Sequence, residues 1–226
     1  MKIIFTDTTG TNLEQPKPAS KLVPDWYKNM ESYLDGIKKP DGSGITSGTI
    51  KRCMPVFDAI TVGYIIESPA DVWVSLRDGI QYFEWADHSL IEFHPIEQAP
   101  THPQRNPHAY AKWINPWAIR TPKGYSTLFV QPFHRESVFT ILPGIVDTDQ
   151  YLAPVNFPFV VNDPNFEGLI PKGTAIAQVI PFKRESWDMK IGSEKDLQQI
   201  KSVSNKLRSK FFDRYKSMFW TKKEYR

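Results

Sequence analysis

The sequence is poor in cysteine and in long apolar runs. Among its 226 residues Cys53 is the single cysteine, which excludes an intrachain disulfide and leaves a cysteine-based zinc site without enough ligands. No window approaches the roughly 18 consecutive apolar residues of a membrane-spanning helix. The apolar run within Met1–Asp7 is too short for a signal peptide. We therefore expect a reducing compartment, with neither secretion nor membrane insertion.

Glycine is scarce relative to proline, and net charge is low. The chain has 12 glycines and 19 prolines, and proline is disfavoured in helix interiors and central strands. A mostly helical protein is therefore disfavoured. The 28 basic and 25 acidic residues leave a formal charge of +3, so the chain as a whole lacks the strong basic character of many nucleic-acid binders. A hydrophobic content of 40% is typical of a globular protein with a real core.

Residues 51–190 carry the pattern of an all-β domain. Short runs rich in β-branched and aromatic residues recur between turn signals, and no helical period long enough for a crossover helix lies between them. This excludes a doubly wound sheet and favours a sandwich or barrel-like architecture. The predicted strands are Ile60–Ile66, Val72–Leu76, Ile80–Trp85, Leu90–Phe93, Ser126–Val130, Val138–Leu142, Val155–Val161 and Ala175–Phe182.

The first 50 residues are typical of an extended arm. Prolines in Gln15–Ser20 favour a polyproline-like backbone, because each proline fixes its own φ and restricts the residue before it. A short helix is predicted from about Val23 to Leu34. We expect its aromatic side chains to dock on the protein's own core rather than on a neighbouring subunit.

Residues 193–222 predict a basic amphipathic helix. Ser193–Asp196 resembles a capping box, with aspartate in the place of the usual glutamate. We predict a helix over Glu194–Phe219, and its basic side chains are more typical of a solvated face than of a nucleic-acid contact. Its apolar face consists of Leu197, Ile200, Leu207, Phe211, Tyr215 and Met218.

Two segments, Ile141–Tyr151 and Phe166–Ile180, resemble conserved segments of dUTPases, and Trp117–Ser126 is similar to an earlier strand and turn of that family. The resemblance implies the β-clip fold of the dUTPase and dCTP deaminase superfamily, a compact distorted barrel that commonly assembles as a trimer. It also implies a tight hairpin at Gly144 and a turn at the Lys172–Gly173 pair.

The resemblance places Asp147 at the family's water-activating aspartate and Tyr151 at the tyrosine beneath the deoxyribose. Three departures argue against catalysis. Gln150 is inserted before Tyr151, which changes side-chain facing in a two-residue-period hairpin. The family's phosphate-holding Pro-Arg-Ser-Gly segment is replaced by a stretch in which Arg135 and Ser137 are wrongly spaced, and its glycine-rich C-terminal lid is missing. The leading hypothesis is therefore a non-catalytic protein without a cofactor.

The rival hypothesis is a divergent nucleoside triphosphate pyrophosphatase or nucleotide-binding protein. It assigns catalysis to Asp147 and Tyr151 and requires Mg²⁺ for hydrolysis. The residues assigned to nucleotide binding are Asp149, Gln178, Lys183, Arg184 and Arg135.

A proline-rich stretch raises the question of a metal site. His94, His102 and His108, with Glu97 between the first two, supply ligand types that suit zinc or iron. The prolines make this a stiff irregular loop, in which histidine is usually only a polar neighbour. We predict no metal at this loop.

The sequence pattern of the whole chain, including Lys112–Tyr125, is similar to that of uncharacterised proteins carried by large tailed phages, notably of cyanobacteria and marine hosts. The resemblance implies a viral protein of the host cytoplasm or the virion, without defining an activity. We expect an accessory or structural component that acts through assembly or binding. Its expected partners are further copies of itself, with a trimer as the assembly that the resemblance implies, or another phage or host protein. Nucleic-acid binding by the basic helix is a third, weaker alternative.

Overall fold

The computed structural model describes residues 1–38, 45–86, 89–98, 109–209 and 214–226. The α-helices within them are α1 (Asp25–Asn29), α2 (Met54–Thr61), α3 (Glu194–Ser209) and α4 (Arg214–Met218). The strands are β1 (Ile4–Asp7), β2 (Lys17–Pro18), β3 (Tyr33–Lys38), β4 (Ile45–Gly48), β5 (Tyr64–Glu67), β6 (Val72–Arg77), β7 (Ile80–Trp85), β8 (Ile91–Pro95), β9 (Ala109–Trp113), β10 (Trp117–Arg120), β11 (Tyr125–Val130), β12 (Phe139–Ile141), β13 (Gly144–Val146), β14 (Phe157–Val161), β15 (Gly168–Ile170) and β16 (Ala175–Lys183). The protein is mainly β with a C-terminal helix, as predicted.

The chain forms two compact units. The β unit comprises Met1–Leu22, Thr61–Arg184 and Tyr225–Arg226, and the second unit comprises Val23–Ile60 and Glu185–Glu224. Both units are built from separated stretches of chain, whereas the sequence segments 1–50, 51–190 and 193–222 are consecutive.

The described residues of the β unit form four antiparallel sheets. Their strand orders are β13-β11-β16-β5-β2, β12-β14-β9-β8, β15-β6-β7 and β1-β10. Within the described residues no sheet closes on itself, so the distorted barrel implied by the resemblance is not formed. The largest fully buried side chains of the core include Trp113, Phe129, Phe139 and Phe159. Trp113 and Phe159 stack with ring centroids 5.2 Å apart, which ties the four-stranded sheet together.

Part of the predicted arm is paired in these sheets. β1 pairs with β10, so that Phe5 lies opposite Ile119, and β2 pairs with β5, so that Pro18 lies opposite Tyr64. The proline lies on an edge strand, where a missing N–H breaks no ladder.

The predicted strands are confirmed, with ends shifted by at most two residues, except Ile60–Ile66. That run is divided, because α2 includes Ile60 and β5 starts only at Tyr64. Pro55 lies in the first turn of α2, where proline is well tolerated because its missing N–H has no intrahelical partner. The helix predicted from Val23 to Leu34 is shorter, since α1 spans Asp25–Asn29 and β3 begins at Tyr33.

The C-terminal helix begins with half of the predicted capping box, because the Ser193 hydroxyl donates to the Asp196 carboxylate at 2.6 Å instead of accepting from the Asp196 N–H. The backbone N–H of Ser193 donates to the Asp196 carboxylate at 2.6 Å, so the shorter aspartate does form the reciprocal bond. Bonds from the Ser193 hydroxyl, and then from its N–H, lower the pKa of Asp196. The predicted helix Glu194–Phe219 is present as α3 and α4, and residues 210–213 between them lie outside the described residues. None of the helices in the described part of the chain has the length and apolar character needed to span a bilayer.

Candidate functional site

Asp147 and Asp149 lie in a turn that follows β13. The predicted tight hairpin at Gly144 is wrong, because β12 and β13 belong to different sheets and Gly144 does not have a positive φ. The backbone N–H groups of Gln150 and Tyr151 both donate to the Asp147 carbonyl at 2.9 Å. The inserted Gln150 is therefore accommodated in a helical turn, where the two-residue period of a strand does not apply.

Arg184, directly after β16, binds Asp149 through both ends of its guanidinium group. Nη1 donates to Asp149 Oδ1 at 2.8 Å and Nη2 donates to Oδ2 at 2.6 Å. The Asp149 side chain is only 2% exposed. This is the bidentate geometry that a planar guanidinium makes best.

A glycine turn supplies the next contact to Asp149. The Tyr125 N–H donates to the Pro122 carbonyl at 3.2 Å, and Gly124 has a φ of +85°, as the third position of a type II turn requires. The Gly124 N–H then donates to Asp149 Oδ2 at 2.8 Å. The predicted Pro-Lys-Gly turn is thus present, and its amide contacts the carboxylate.

Asp147 shares the same guanidinium but is far more accessible. Its Oδ1 accepts from the Ser126 hydroxyl at 2.6 Å and lies 3.2 Å from Arg184 Nη1. Ser126 is 1% exposed, whereas the Asp147 side chain is 58% exposed. One face of this carboxylate is therefore bound by the protein and the other faces solvent.

Buried hydroxyl groups hydrogen-bond to Thr148 of this turn. The Thr148 Oγ1 lies 2.8 Å from the Oγ1 atoms of both Thr121 and Thr127, and all three residues are buried. Each hydroxyl can donate and accept, so the three satisfy one another. Sequence reasoning missed these threonines and Ser126. Nothing in the sequence identifies contacts made across separations of 21 and 27 residues.

The ion pair determines the titration of Asp149. Hydrogen bonds from Arg184 first, and from the Gly124 N–H second, lower the pKa of Asp149 to about 2. The same bond to Asp149 raises the pKa of Arg184. Asp149 therefore remains ionised at all physiological pH values and is unsuited to accept a proton in catalysis.

Gln178 is placed elsewhere on β16. It is fully buried, its Oε1 accepts from the Phe133 N–H at 2.9 Å, and its Nε2 donates to the Val62 carbonyl at 2.7 Å. Six residues of extended strand separate it from Arg184, a distance of about 20 Å. Gln178 thus joins β16 to two neighbouring loops and is not part of the group around Asp149.

The other residues assigned to nucleotide binding are not gathered into one pocket. The half-buried Arg135 donates through Nη2 to the Leu22 carbonyl, and burial lowers its pKa. Lys183 is exposed at the end of β16, and Tyr151 is 50% exposed. Among the assigned residues, Asp147, Asp149 and Arg184 share direct side-chain contacts, and these three are hereafter the carboxylate turn.

The histidine stretch is described only in part. His94 lies on β8 opposite Tyr110, whereas His102 and His108 lie outside the described residues. Among the described residues, no group of three or more histidine, cysteine, aspartate or glutamate side chains is arranged to hold a metal ion.

Comparison with known proteins finds neither a matching family model nor a matching curated protein. Among solved structures, a mutant dUTPase of phage phi11 of S. aureus is 12% identical with a TM-score of 0.39, over 86% of this chain and 98% of that one. A mutant dUTPase of Staphylococcus bacteriophage 80alpha with dUpNHpp is 13% identical with a TM-score of 0.38, over 85% and 97%. The EIAV dUTPase is 12% identical with a TM-score of 0.31, over 59% and 84%.

At these scores and identities the likeness carries no statement about activity, and the contacts of the carboxylate turn are the basis for a functional conclusion.

Proposed function

We propose that this protein acts through binding and assembly rather than nucleotide hydrolysis, as a non-catalytic phage accessory or virion component of the β-clip type. The observation that carries the proposal is the state of Asp149. Both of its oxygens are bound, by Arg184 and the Gly124 amide, and its side chain is 2% exposed. Arg184 is at the same time unavailable to a phosphate, because both terminal nitrogens of its guanidinium group already bind the Asp149 carboxylate.

A second candidate function rests on Asp147 alone. Its side chain is 58% exposed, and Tyr151 beside it is also exposed. A divergent pyrophosphatase would use the free oxygen of Asp147 to activate water, with Mg²⁺ neutralising the phosphates. This candidate lacks the phosphate-holding groups that the sequence departures remove.

Nucleotide hydrolysis separates the two candidates. Purified protein incubated with dUTP or dCTP and Mg²⁺ is expected to release no pyrophosphate above a protein-free blank. Asp147→Asn is the matched control, because it preserves the size of the side chain and removes its charge. Turnover at enzyme-like rates that disappears in Asp147→Asn would refute the non-catalytic proposal and establish the pyrophosphatase.

Assembly with further copies is the second part of the proposal. Trp187, Met189 and Ile191 are 86%, 90% and 80% exposed, and they alternate with polar residues in one short segment of the second unit. Apolar side chains this exposed are typical of surfaces that are covered by a partner. We propose a homo-oligomer, with a trimer as the expected size.

Light scattering coupled to size-exclusion chromatography tests this assembly. The wild-type chain is expected to elute at about three times its own mass. The triple variant Trp187→Ser, Met189→Ser, Ile191→Ser is expected to elute as a monomer. Leu34→Ser, an exposed leucine of the same unit at 46%, is the control and should leave the mass unchanged. A wild-type monomer at high concentration would overturn the proposal.

A further inference from the structure

A groove lies at the open end of the β6–β7 hairpin, in the β unit and separate from the carboxylate turn. The hairpin closes at Asp78 and Gly79, whose positive φ values of 52° and 77° suit a two-residue turn. At the opposite end, Val72 lies opposite Trp85 and the strands part. A cavity of about 640 Å³ opens there, within the range of roughly 300–1,000 Å³ typical of small-molecule sites. Its principal side chains are Trp73, Trp85, Asp71, Glu84 and Lys172.

Tryptophan forms the wall of this groove. Trp73 lies between Leu169 of β15 and Glu84 of β7, yet its side chain is 57% exposed. Packing on the sheet therefore leaves much of the indole uncovered. An uncovered indole offers a flat apolar surface beside a polar N–H group. Such a surface suits a ring that is apolar on its face and polar at its edge.

The polar groups of the groove are balanced in charge. Glu84 accepts from Arg77 Nη2 at 2.7 Å, so its negative charge is compensated on the sheet itself. The Lys172 backbone N–H donates to Asp71 Oδ1 at 2.6 Å, which orients that carboxylate, and Lys172 is the basic residue of the groove lining. Two acidic residues and one lysine thus line the groove, and Arg77, outside the lining, compensates the charge of Glu84.

From this combination we propose that the groove binds a neutral saccharide, with a sugar ring stacked on Trp73. Sugar hydroxyls both donate and accept, so they match carboxylate acceptors and an ammonium donor in the same site. The inference goes beyond the proposed function and does not depend on it, since none of the groove residues belongs to the carboxylate turn.

The same groups disfavour other ring ligands. A nucleotide stacked on Trp73 would bring its phosphates to Asp71 and Glu84, whereas stacking sites for nucleic acids are lined with basic residues. A quaternary ammonium ion would gain from the indole face, but Glu84 is already paired with Arg77, and Lys172 adds a like charge to the lining. Both ligands serve as competing outcomes in the test.

The test titrates the full chain separately with maltohexaose, cellohexaose and chitohexaose, following binding by calorimetry and tryptophan fluorescence. At least one of these hexasaccharides is expected to bind. Trp73→Ala is expected to weaken that binding at least about tenfold, whereas Trp73→Phe, which retains an aromatic face, is expected to lose less. Trp26→Ala is the matched control, because Trp26 is a partly exposed tryptophan, at 37%, in the second unit.

Circular dichroism and thermal melting of Trp73→Ala are expected to match wild type, because so much of this side chain is already in solvent. The proposal is overturned if none of the three sugars binds at millimolar concentration, or if Trp73→Ala binds as well as wild type. It is also overturned if dUMP or choline binds through Trp73 while the sugars do not. Pyrophosphate release in the hydrolysis assay would refute the proposed function without affecting this result.

Discussion

Gly63→Ala is expected to destabilise the β unit by about 3 kcal/mol or more. Gly63 has a φ of +72°, a region that disfavours any side chain. A methyl group there would lie 2.1 Å from the Val179 carbonyl oxygen and 3.0 Å from its carbon. Val179 is fully buried in β16, which is paired on both sides, so the backbone cannot move away without breaking a ladder.

Gly79→Ala is the matched control for this prediction. Gly79 also has a positive φ, of +77°, but a methyl group there would meet nothing within 4 Å. Gly79→Ala should therefore lower the free energy of unfolding only by the conformational strain of a side chain at positive φ, about 1–2 kcal/mol. Urea unfolding of both variants gives the comparison. Equal losses in the two variants would show that the close approach of Gly63 to Val179 does not matter.

Arg184→Met is expected to cause the second large loss of stability. The substitution removes both guanidinium bonds from the Asp149 carboxylate, which is 2% exposed, and leaves the bond from the Gly124 N–H. The Arg184 side chain is 33% exposed, but its removal leaves the enclosed Asp149 charge uncompensated, and this costs more than the pair itself contributes. Arg184→Lys keeps the positive charge but cannot make the two parallel hydrogen bonds of a guanidinium group, so we expect it to lower the stability by an intermediate amount.

A second substitution and an exposed ion pair provide the controls. Asp149→Asn in the Arg184→Met background is expected to recover part of the stability, because it removes the unpaired charge. Arg77→Met breaks an exposed pair, in which the Arg77 and Glu84 side chains are 61% and 62% exposed, and should cost less than about 1 kcal/mol. If Arg184→Met costs no more than Arg77→Met, the carboxylate turn is not held by this pair.

The same pair predicts sensitivity to acid. The pKa of Asp149 falls on folding from the ordinary 3.8 to about 2. A group with a lowered pKa in the folded state contributes stability above its unfolded pKa, and this share is lost as the pH falls through the folded value. The contribution of Asp149 is therefore complete at neutral pH and disappears between about pH 4 and pH 2. Urea midpoints measured over that range should fall less steeply in Asp149→Asn than in wild type.

The strands could be predicted because their signals are local. Runs such as Ile80–Trp85 alternate in burial and end at turn residues, and the structure has that strand with the same ends. α2 was missed for the opposite reason, since it is too short for a helical period to stand out beside the apolar residues of β5. The resemblance identified the region that contains Asp147 and Asp149, but it implied a hairpin where the chain makes a helical turn.

The composition and local patterns of this sequence determined a mainly β protein and the C-terminal helix, because propensities and caps depend on neighbouring residues, and the family resemblance indicated the Pro-Lys-Gly turn before β11. Only the tertiary structure decided that Arg184 binds Asp149, that Gln178 is enclosed in the core, and that Gly63 touches β16. These contacts join residues that are distant in sequence. They depend on which strands pair with each other, and a short stretch of sequence does not show that pairing.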